Sequence, residues 1–445
     1  MTTASGRGTS LTDVADDWPT LAETLRVMTF NGGFNTNVVV LATTMLGIAA
    51  GIVGVFALLR KRSLMGDALA HATLPGIAVA FIVAFALGWQ GRSLPVLMVG
   101  ATVSGVVGVL CVQWLLRVPR VHEDAAIGIV LSVFFGVGVV LLSVIQKLPN
   151  ANAGGIDTFI YGQTAAMAPA DSYLMAAVAM IAVLAAALLL KEMAIVCFND
   201  GFARVDGWPV GLIDLLMMAL VVIVTVAGLQ AVGLILVIAL LIIPAVSARF
   251  WTERLWLLVI VAGCIGGMSG YLGSVTSALL PRKPAGAVIV LVAGGLFLVS
   301  MFVAPRRGVL ASLLRRLRLR VKIAVDHVTE FAAERGGHLD VDAVRRLGEL
   351  RGWGMVLRWW LPGHLRRLGL ATTVDGIRLT NAGKDRGKRV ARNHRLWERY
   401  LVTHADIAPS HIDWTVDEVE HVLDADVIER LERETEAANG KAVPA

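Results

Sequence analysis

Residues 36–59 read TNVVVLATTMLGIAAGIVGVFALL, a run without a single charge, and Arg60, Lys61 and Arg62 follow at once. At 1.5 Å per residue a helix of this length spans about 36 Å, enough to cross roughly 30 Å of hydrocarbon. Backbone inside lipid must satisfy its own polar groups, so the run reads as a membrane-spanning helix with a basic edge. Eight more apolar segments follow, at 68–89, 94–116, 125–146, 172–190, 210–228, 231–248, 255–275 and 285–304. The alternation of a β-barrel strand is absent from them. The composition agrees: 56% of the 445 residues are hydrophobic and 17% charged, against about 25% charged in an ordinary soluble protein. A soluble globular enzyme and a disordered chain are both excluded. No nucleophile–base pair stands out, and no G-x-x-x-x-G-K-[ST] phosphate loop occurs. An ATP-driven process would therefore use the ATPase of another chain.

Basic residues orient the spans. One set of connections carries Arg60, Lys61, Arg62, Arg117, Arg120, Lys191, Arg204, Arg249, Arg254, Arg306 and Arg307. The alternate set carries only Arg92, Lys147, Arg282 and Lys283. The first set is expected in the cytoplasm, which puts the N-terminus outside and the charged tail inside a plasma (inner) membrane. Residues 1–33 lack a signal peptide's basic start and apolar core, and 12–29 suit a short amphipathic helix. Cys111, Cys197 and Cys264 are isolated and give no disulfide framework or metal-ligand spacing. Gly47, Gly51 and Gly54, and again Gly100, Gly105 and Gly108, would let helices approach closely.

Ionisable residues within spans cost about 2.5–3.5 kcal/mol near the bilayer centre, so each calls for a reason. In Ser63-Leu64-Met65-Gly66-Asp67-Ala68-Leu69-Ala70-His71-Ala72-Thr73-Leu74-Pro75-Gly76, Asp67 and His71 are four apart and share a helix face. A carboxylate beside an imidazole suits a divalent cation on its way through the membrane. It equally suits a buried hydrogen bond that fixes helix packing. Pro75 and Gly76 are expected to disturb the helix just beyond. Glu123, Asp124, Lys191, Glu192 and Asp214 read as interfacial positions.

Beyond residue 308 the chain changes character. Residues 309–400 carry 20 Lys and Arg against 9 Asp and Glu, and residues 401–445 carry 3 against 11. The basic run Leu313–Arg320 suits anionic membrane lipid. Helical patterns near 321–335, 340–351 and 355–368 precede two short apolar runs separated by Asp375-Gly376, a β-hairpin signal. Three helices and a hairpin suggest a winged helix, with DNA as one partner. Trp359-Trp360-Leu361-Pro362-Gly363 is poor material for a helix that must lie in a major groove, which favours a protein-interaction role. Further on, His394 and Glu398 share a helix face, as do Asp417, Glu420 and His421. Such faces could surround a divalent ion, or be merely solvated.

The membrane part resembles the ABC-3 family, the permease subunits of manganese, zinc and iron ATP-binding-cassette importers. Three stretches carry the likeness: Ser63–Gly76, Phe198-Asn199-Asp200-Gly201-Phe202-Ala203 with Gly207, and Gly233–Ala245. The middle one departs at Asn199 and Gly201, where the family usually has acidic residues. The resemblance spans roughly 20–307. It implies a homodimeric or paired permease that receives metal from an extracytoplasmic binding protein. It implies a transport pathway at Asp67 and His71, and an ATP-binding subunit contacted through Phe198, Asn199, Asp200, Phe202, Ala203 and Gly207. Residues 320–436 resemble the diphtheria-toxin-repressor-like metalloregulators through Arg392–Leu401, Val419–Asp424 and Thr380-Asn381-Ala382-Gly383-Lys384. That resemblance places His394, Glu398, Asp417, Glu420 and His421 on metal-ligand positions, with Asp326 a candidate for a further ligand. A carboxylate at Asp417 favours manganese over iron or zinc.

The expected fold is thus an all-α polytopic membrane protein of about nine transmembrane helices, with a cytoplasmic winged-helix domain and a helical metal-binding/dimerisation domain behind it. The expected divisions are 1–33, 34–307, 308–390 and 391–445. The expected function is a metal-importer permease with a metal-sensing tail, using no organic cofactor. The alternative is a membrane-tethered, metal-dependent DNA-binding regulator.

Overall fold

The computed structural model describes residues 21–31, 33–60, 62–88, 94–147, 167–280, 284–372, 376–404, 426–431 and 433. The chain divides into two compact units, Met1–Ala311 and Ser312–Ala445.

The regular elements of the first unit are all helices among its described residues. A short helix α1 (Leu21–Met28) precedes α2 (Phe34–Leu59), α3 (Ser63–Ala86), α4 (Leu94–Leu115) and α5 (Glu123–Lys147). Then come α6 (Pro169–Leu188), the short α7 (Leu190–Phe198) and α8 (Asp200–Val205), α9 (Val210–Val232), α10 (Leu234–Trp251), α11 (Leu255–Leu279) and α12 (Ala285–Val303). Eight of these are long and apolar enough to cross a membrane. The remaining apolar segment, 231–248, is shorter in the structure: its apolar stretch is Val237–Trp251 of α10, and a single residue, Gly233 at φ 86°, separates α10 from α9.

Lipid offers no hydrophobic drive between helices, so close packing must hold them together. Helix α2 is the hub, packed against α6, α9, α10 and α11, while α3 packs on α4 and α5. A Cβ on Gly47 would lie 2.1 Å from the Gly266 carbonyl oxygen, and one on Gly51 2.2 Å from that of Ala262. Gly76 and Gly100 bring α3 and α4 together in the same way, a Cβ on Gly76 meeting the Gly100 oxygen at 2.1 Å. Thr43 Oγ1 adds a buried hydroxyl contact, 3.1 Å from Ser274 Oγ.

One expectation about proline is corrected. Pro75 lies inside α3, which runs on to Ala86. Proline removes a donor from the helix ladder, and Ser104 Oγ of α4 donates to the Ala72 oxygen at 2.6 Å, one residue from the carbonyl left short. Pro362 lies inside a continuous helix too, described next, as the helical pattern over 355–368 led one to expect. Its neighbours Leu361 and Leu365 are fully buried, so tertiary packing outweighs the local cost.

The second unit contains α13 (Val309–Glu334), from Ser312 onward, α14 (Val341–Leu350), α15 (Met355–Arg367) and α16 (Asn381–His404). Three short strands, β1 (His338–Leu339), β2 (Ala371–Thr372) and β3 (Ile377–Leu379), form an antiparallel sheet in the order β1-β3-β2. The β2–β3 pair is the expected hairpin, closed at Gly376 with φ 94°. Its core is of the soluble kind: Val325, Val328, Val344, Leu361, Leu365, Ile377 and Leu379 pack together.

Candidate functional site

Charged side chains gather at one end of the helical bundle. Arg60 follows the last residue of α2, and Arg62 precedes the first residue of α3. Asp214 lies one turn into α9, an otherwise uncharged helix, and only 5% of it is exposed. Both arginines bind it: Arg62 Nη1 donates to Oδ2 at 2.5 Å, and Arg60 Nε donates to Oδ1 at 3.1 Å. Each arginine has a second carboxylate. Arg60 Nη1 donates to Asp200 Oδ1 at 2.5 Å, and Arg62 Nε donates to Glu123, the first residue of α5. Arg60 Nη1 also reaches the Val196 oxygen of α7 at 3.1 Å, and Gln113 of α4 lies 3.5 Å from Asp214. Burial works to lower the Arg60 pKa, but the hydrogen bond to Asp200 and the charges of Asp214 and Asp200 raise it on balance. Nearby, burial pushes the Cys197 thiol up to about 11 against the opposing pull of Arg60.

Sequence reading took Arg60 and Arg62 only as orientation markers, and Glu123 and Asp214 only as interfacial charges. The usable signal was a single carboxylate inside an uncharged 23-residue helix beside a basic connection.

Asp67 and His71 lie on the next turns of α3. His71 Nε2 is 3.5 Å from Asp67 Oδ1, too long for a firm bond. The side chains are 42% and 22% exposed, respectively. The imidazole is held edge-on against Phe135 of α5, with ring centroids 5.1 Å apart. Its Nδ1 is buried without a hydrogen-bond partner among the described residues. A carboxylate and an imidazole with unspent lone pairs can accept a divalent ion.

The 198–207 segment is built around α8. Asn199 is its N-cap, its side-chain oxygen accepting from Phe202 N–H at 3.0 Å. An amide performs this cap as well as an aspartate does, so the departure from the acidic pattern leaves the helix start intact. Ala203 is fully buried, and Trp208 N–H donates to its oxygen at 2.9 Å. Gly207 closes the segment at φ 84°, a backbone state that favours glycine. Phe198, Phe202 and Val205 stand out at 71%, 61% and 90% exposure. Phe198 ends α7 while Phe202 and Val205 lie on α8, and exposed apolar side chains grouped in this way are the usual material of contact surfaces.

In the second unit, His394 lies on α16, and the backbone of Glu398 belongs to the same helix. The side chain of Glu398, and Asp417, Glu420 and His421 altogether, lie outside the described residues. Asp326 is 5% exposed and its carboxylate is held by Arg386 at 2.7 Å. Among the described residues, no three His, Cys, Asp or Glu side chains come together as a metal-holding group.

Residues 35–304 match the model of the ABC 3 transport family. Residues 380–437 match that of the iron dependent repressor, metal binding and dimerisation domain. The chain is 37% identical over 380 residues to the manganese transport system membrane protein MntC of Bacillus subtilis (strain 168), covering 84% of this chain and 86% of that one. It is 44% identical over 281 residues to the zinc transport system membrane protein TroC of Treponema pallidum (strain Nichols), covering 63% and 93%. Among solved structures, PsaBC from Streptococcus pneumoniae in complex with Fab matches at a TM-score of 0.55 and 29% identity, over 65% of this chain and 98% of that one.

Proposed function

The chain belongs to the ABC 3 transport family, and from that premise we propose that its cargo ion, manganese before zinc or iron, passes the Asp67–His71 pair. The protein is the permease subunit of a divalent-metal importer and carries a metal-regulatory domain at its C-terminal end. The observation that carries the pathway reading is the loose, half-exposed pair on α3 with an imidazole nitrogen left over. Two side chains are too few to fill a coordination shell, so water or further groups complete it. A weakly held ion can leave as readily as it enters, which transport requires. Oxygen beside nitrogen suits manganese.

The positive-inside rule places Arg60, Arg62 and α8 at the cytoplasmic face, the N-terminus outside and the tail in the cytoplasm. With α10 as the ninth crossing, the two ends of the chain lie on opposite sides. We assign the exposed Phe198, Phe202 and Val205 to the ATP-binding subunit, and the opposite face of a paired permease to the extracytoplasmic metal-binding protein. Nucleotide binding and hydrolysis on the partner then drive alternating access.

We read the tail as a winged helix followed by a metal-binding and dimerisation segment. His394, Glu398, Asp417, Glu420 and His421 would hold the regulatory ion, and two imidazoles with three carboxylates fit a hard or borderline divalent cation. Such an ion restrains import only if it binds the two permease conformations unequally. The DNA-binding alternative is the weaker reading: Met355 and Val356 at the start of α15, where a recognition helix places its base-contacting residues, are 69% and 83% exposed and carry no hydrogen-bonding groups.

Manganese and zinc titrations of the purified full-length chain test both assignments. Asp67→Ala with His71→Ala removes one class of sites, and Glu420→Ala with His421→Ala removes another. Unchanged manganese binding in the first variant contradicts the pathway assignment, and in the second the sensor assignment.

A further inference from the structure

We propose that the ion-pair network centred on Asp214 is the positioning link through which α8 sets the start of α3, and with it the Asp67–His71 pair. The inference rests on the reading above, in which α8 meets the ATPase and the pair meets the metal.

The connection is continuous. Asp200, the first residue of α8, holds Arg60 at 2.5 Å. Arg60 holds Asp214 at 3.1 Å, and Asp214 holds Arg62 at 2.5 Å. Arg62 is the N-cap of α3, and its side chain makes no capping bond to that helix. Its guanidinium goes instead to Asp214 and to Glu123 of α5. Asp67 follows five residues later, about 7.5 Å along the helix axis. One carboxylate shared by two arginines makes them move together. The Asp200 contact is the accessible end, since Asp200 is 40% exposed while Asp214 is 8% exposed in its side chain.

Charge is an expensive way to build a merely static joint. Apolar residues of similar volume fill such a place at least as stably. An ion-pair chain can instead exchange partners between two discrete arrangements, which a rigid-body gate needs. Each arginine already has a second carboxylate, so the network can lose its central bond without leaving either cation alone.

The test uses the full transporter, assembled with its ATP-binding subunit in proteoliposomes. Cys111, Cys197 and Cys264 are replaced by serine, and Asp67→Cys provides one thiol on α3. Alkylation of that thiol is timed without nucleotide and with ATP plus vanadate. With Asp214 present, nucleotide is expected to change the rate at least about five-fold, within the usual range for coupled sites. Asp214→Asn is expected to reduce that response below about two-fold, and Arg62→Lys, which keeps charge but loses the two-armed fork, to do likewise. An equal response in all three, including none at all, overturns the proposal. In the background that keeps Asp67, Asp214→Asn should retain ATP hydrolysis within about two-fold while manganese imported per ATP falls about ten-fold. A parallel fall in both overturns it too, because that is damage to the fold and not to coupling. Import by Asp67→Ala is read separately: normal import sinks the pathway reading, while the alkylation comparison still decides the link.

Discussion

Arg62 and Asp67 are five residues apart on the chain, yet they belong to two polar sites of opposite design. At Arg62 the central contact with Asp214 is tight and buried, 2.5 Å between side chains 10% and 8% exposed, and every partner is supplied by another helix. At Asp67 the contact is 3.5 Å, stays within one helix, and leaves an imidazole nitrogen over. In low dielectric an unsatisfied charge is costly, so a site that leaves valence unspent is placed where something else can use it. On the proposed reading the tight site is fixture and linkage, and the loose one is the place where cargo is exchanged.

That contrast can be broken at several points. The largest effect on stability is expected at Asp214. Removing one partner of a buried ion pair costs about 3–5 kcal/mol, and Asp214→Ala belongs at the lower end because Arg60 and Arg62 keep Asp200 and Glu123. Asp67→Ala should move stability by no more than about 0.5 kcal/mol, as at an ordinary surface position. Thermal unfolding in detergent compares the two variants, and equal losses would erase the distinction. Next comes Gly47→Ala, whose Cβ would lie 2.1 Å from the Gly266 oxygen. Overpacking of this kind costs about 1–3 kcal/mol, read in the same experiment. Smaller still is Asn199→Ala, which removes the cap of α8 and about 1 kcal/mol of helix stability. Its expected readout is weaker co-purification of the ATP-binding subunit with no change in metal binding.

The smallest effect is a titration. The Cys197 thiol is raised from 9.0 to about 11, chiefly by burial. Its contribution to stability is therefore complete below pH 9 and is lost as pH rises towards 11. Alkylation at Cys197 should be slow at pH 8, rise about ten-fold per pH unit, and level off only near pH 11. Fast reaction at pH 8 would mean that this end of the bundle is open to water.

The spans were legible because lipid permits only one solution for an apolar run of that length, and each predicted span overlaps a helix. The glycine contacts followed from residue type, since Gly47, Gly51 and Gly100 have no side chain to hold helices apart. Asp67 and His71 were legible because both fall on one face of one helix. The Asp214 network was not. Its members come from residues 60, 62, 123, 200 and 214, and only folding brings them together. Strand β1 escaped notice because two residues carry no period. Pro75 misled because a local rule about donors omits what neighbouring helices supply.

The most direct test of the account is manganese uptake into proteoliposomes by the assembled transporter, wild type against Asp67→Ala with His71→Ala. The expected result is a fall in uptake of at least about ten-fold, the scale of disturbed metal coordination, in a variant that unfolds at the wild-type temperature. A double variant that imports manganese at the wild-type rate would contradict the claim that the loose pair on α3 is where the cargo passes.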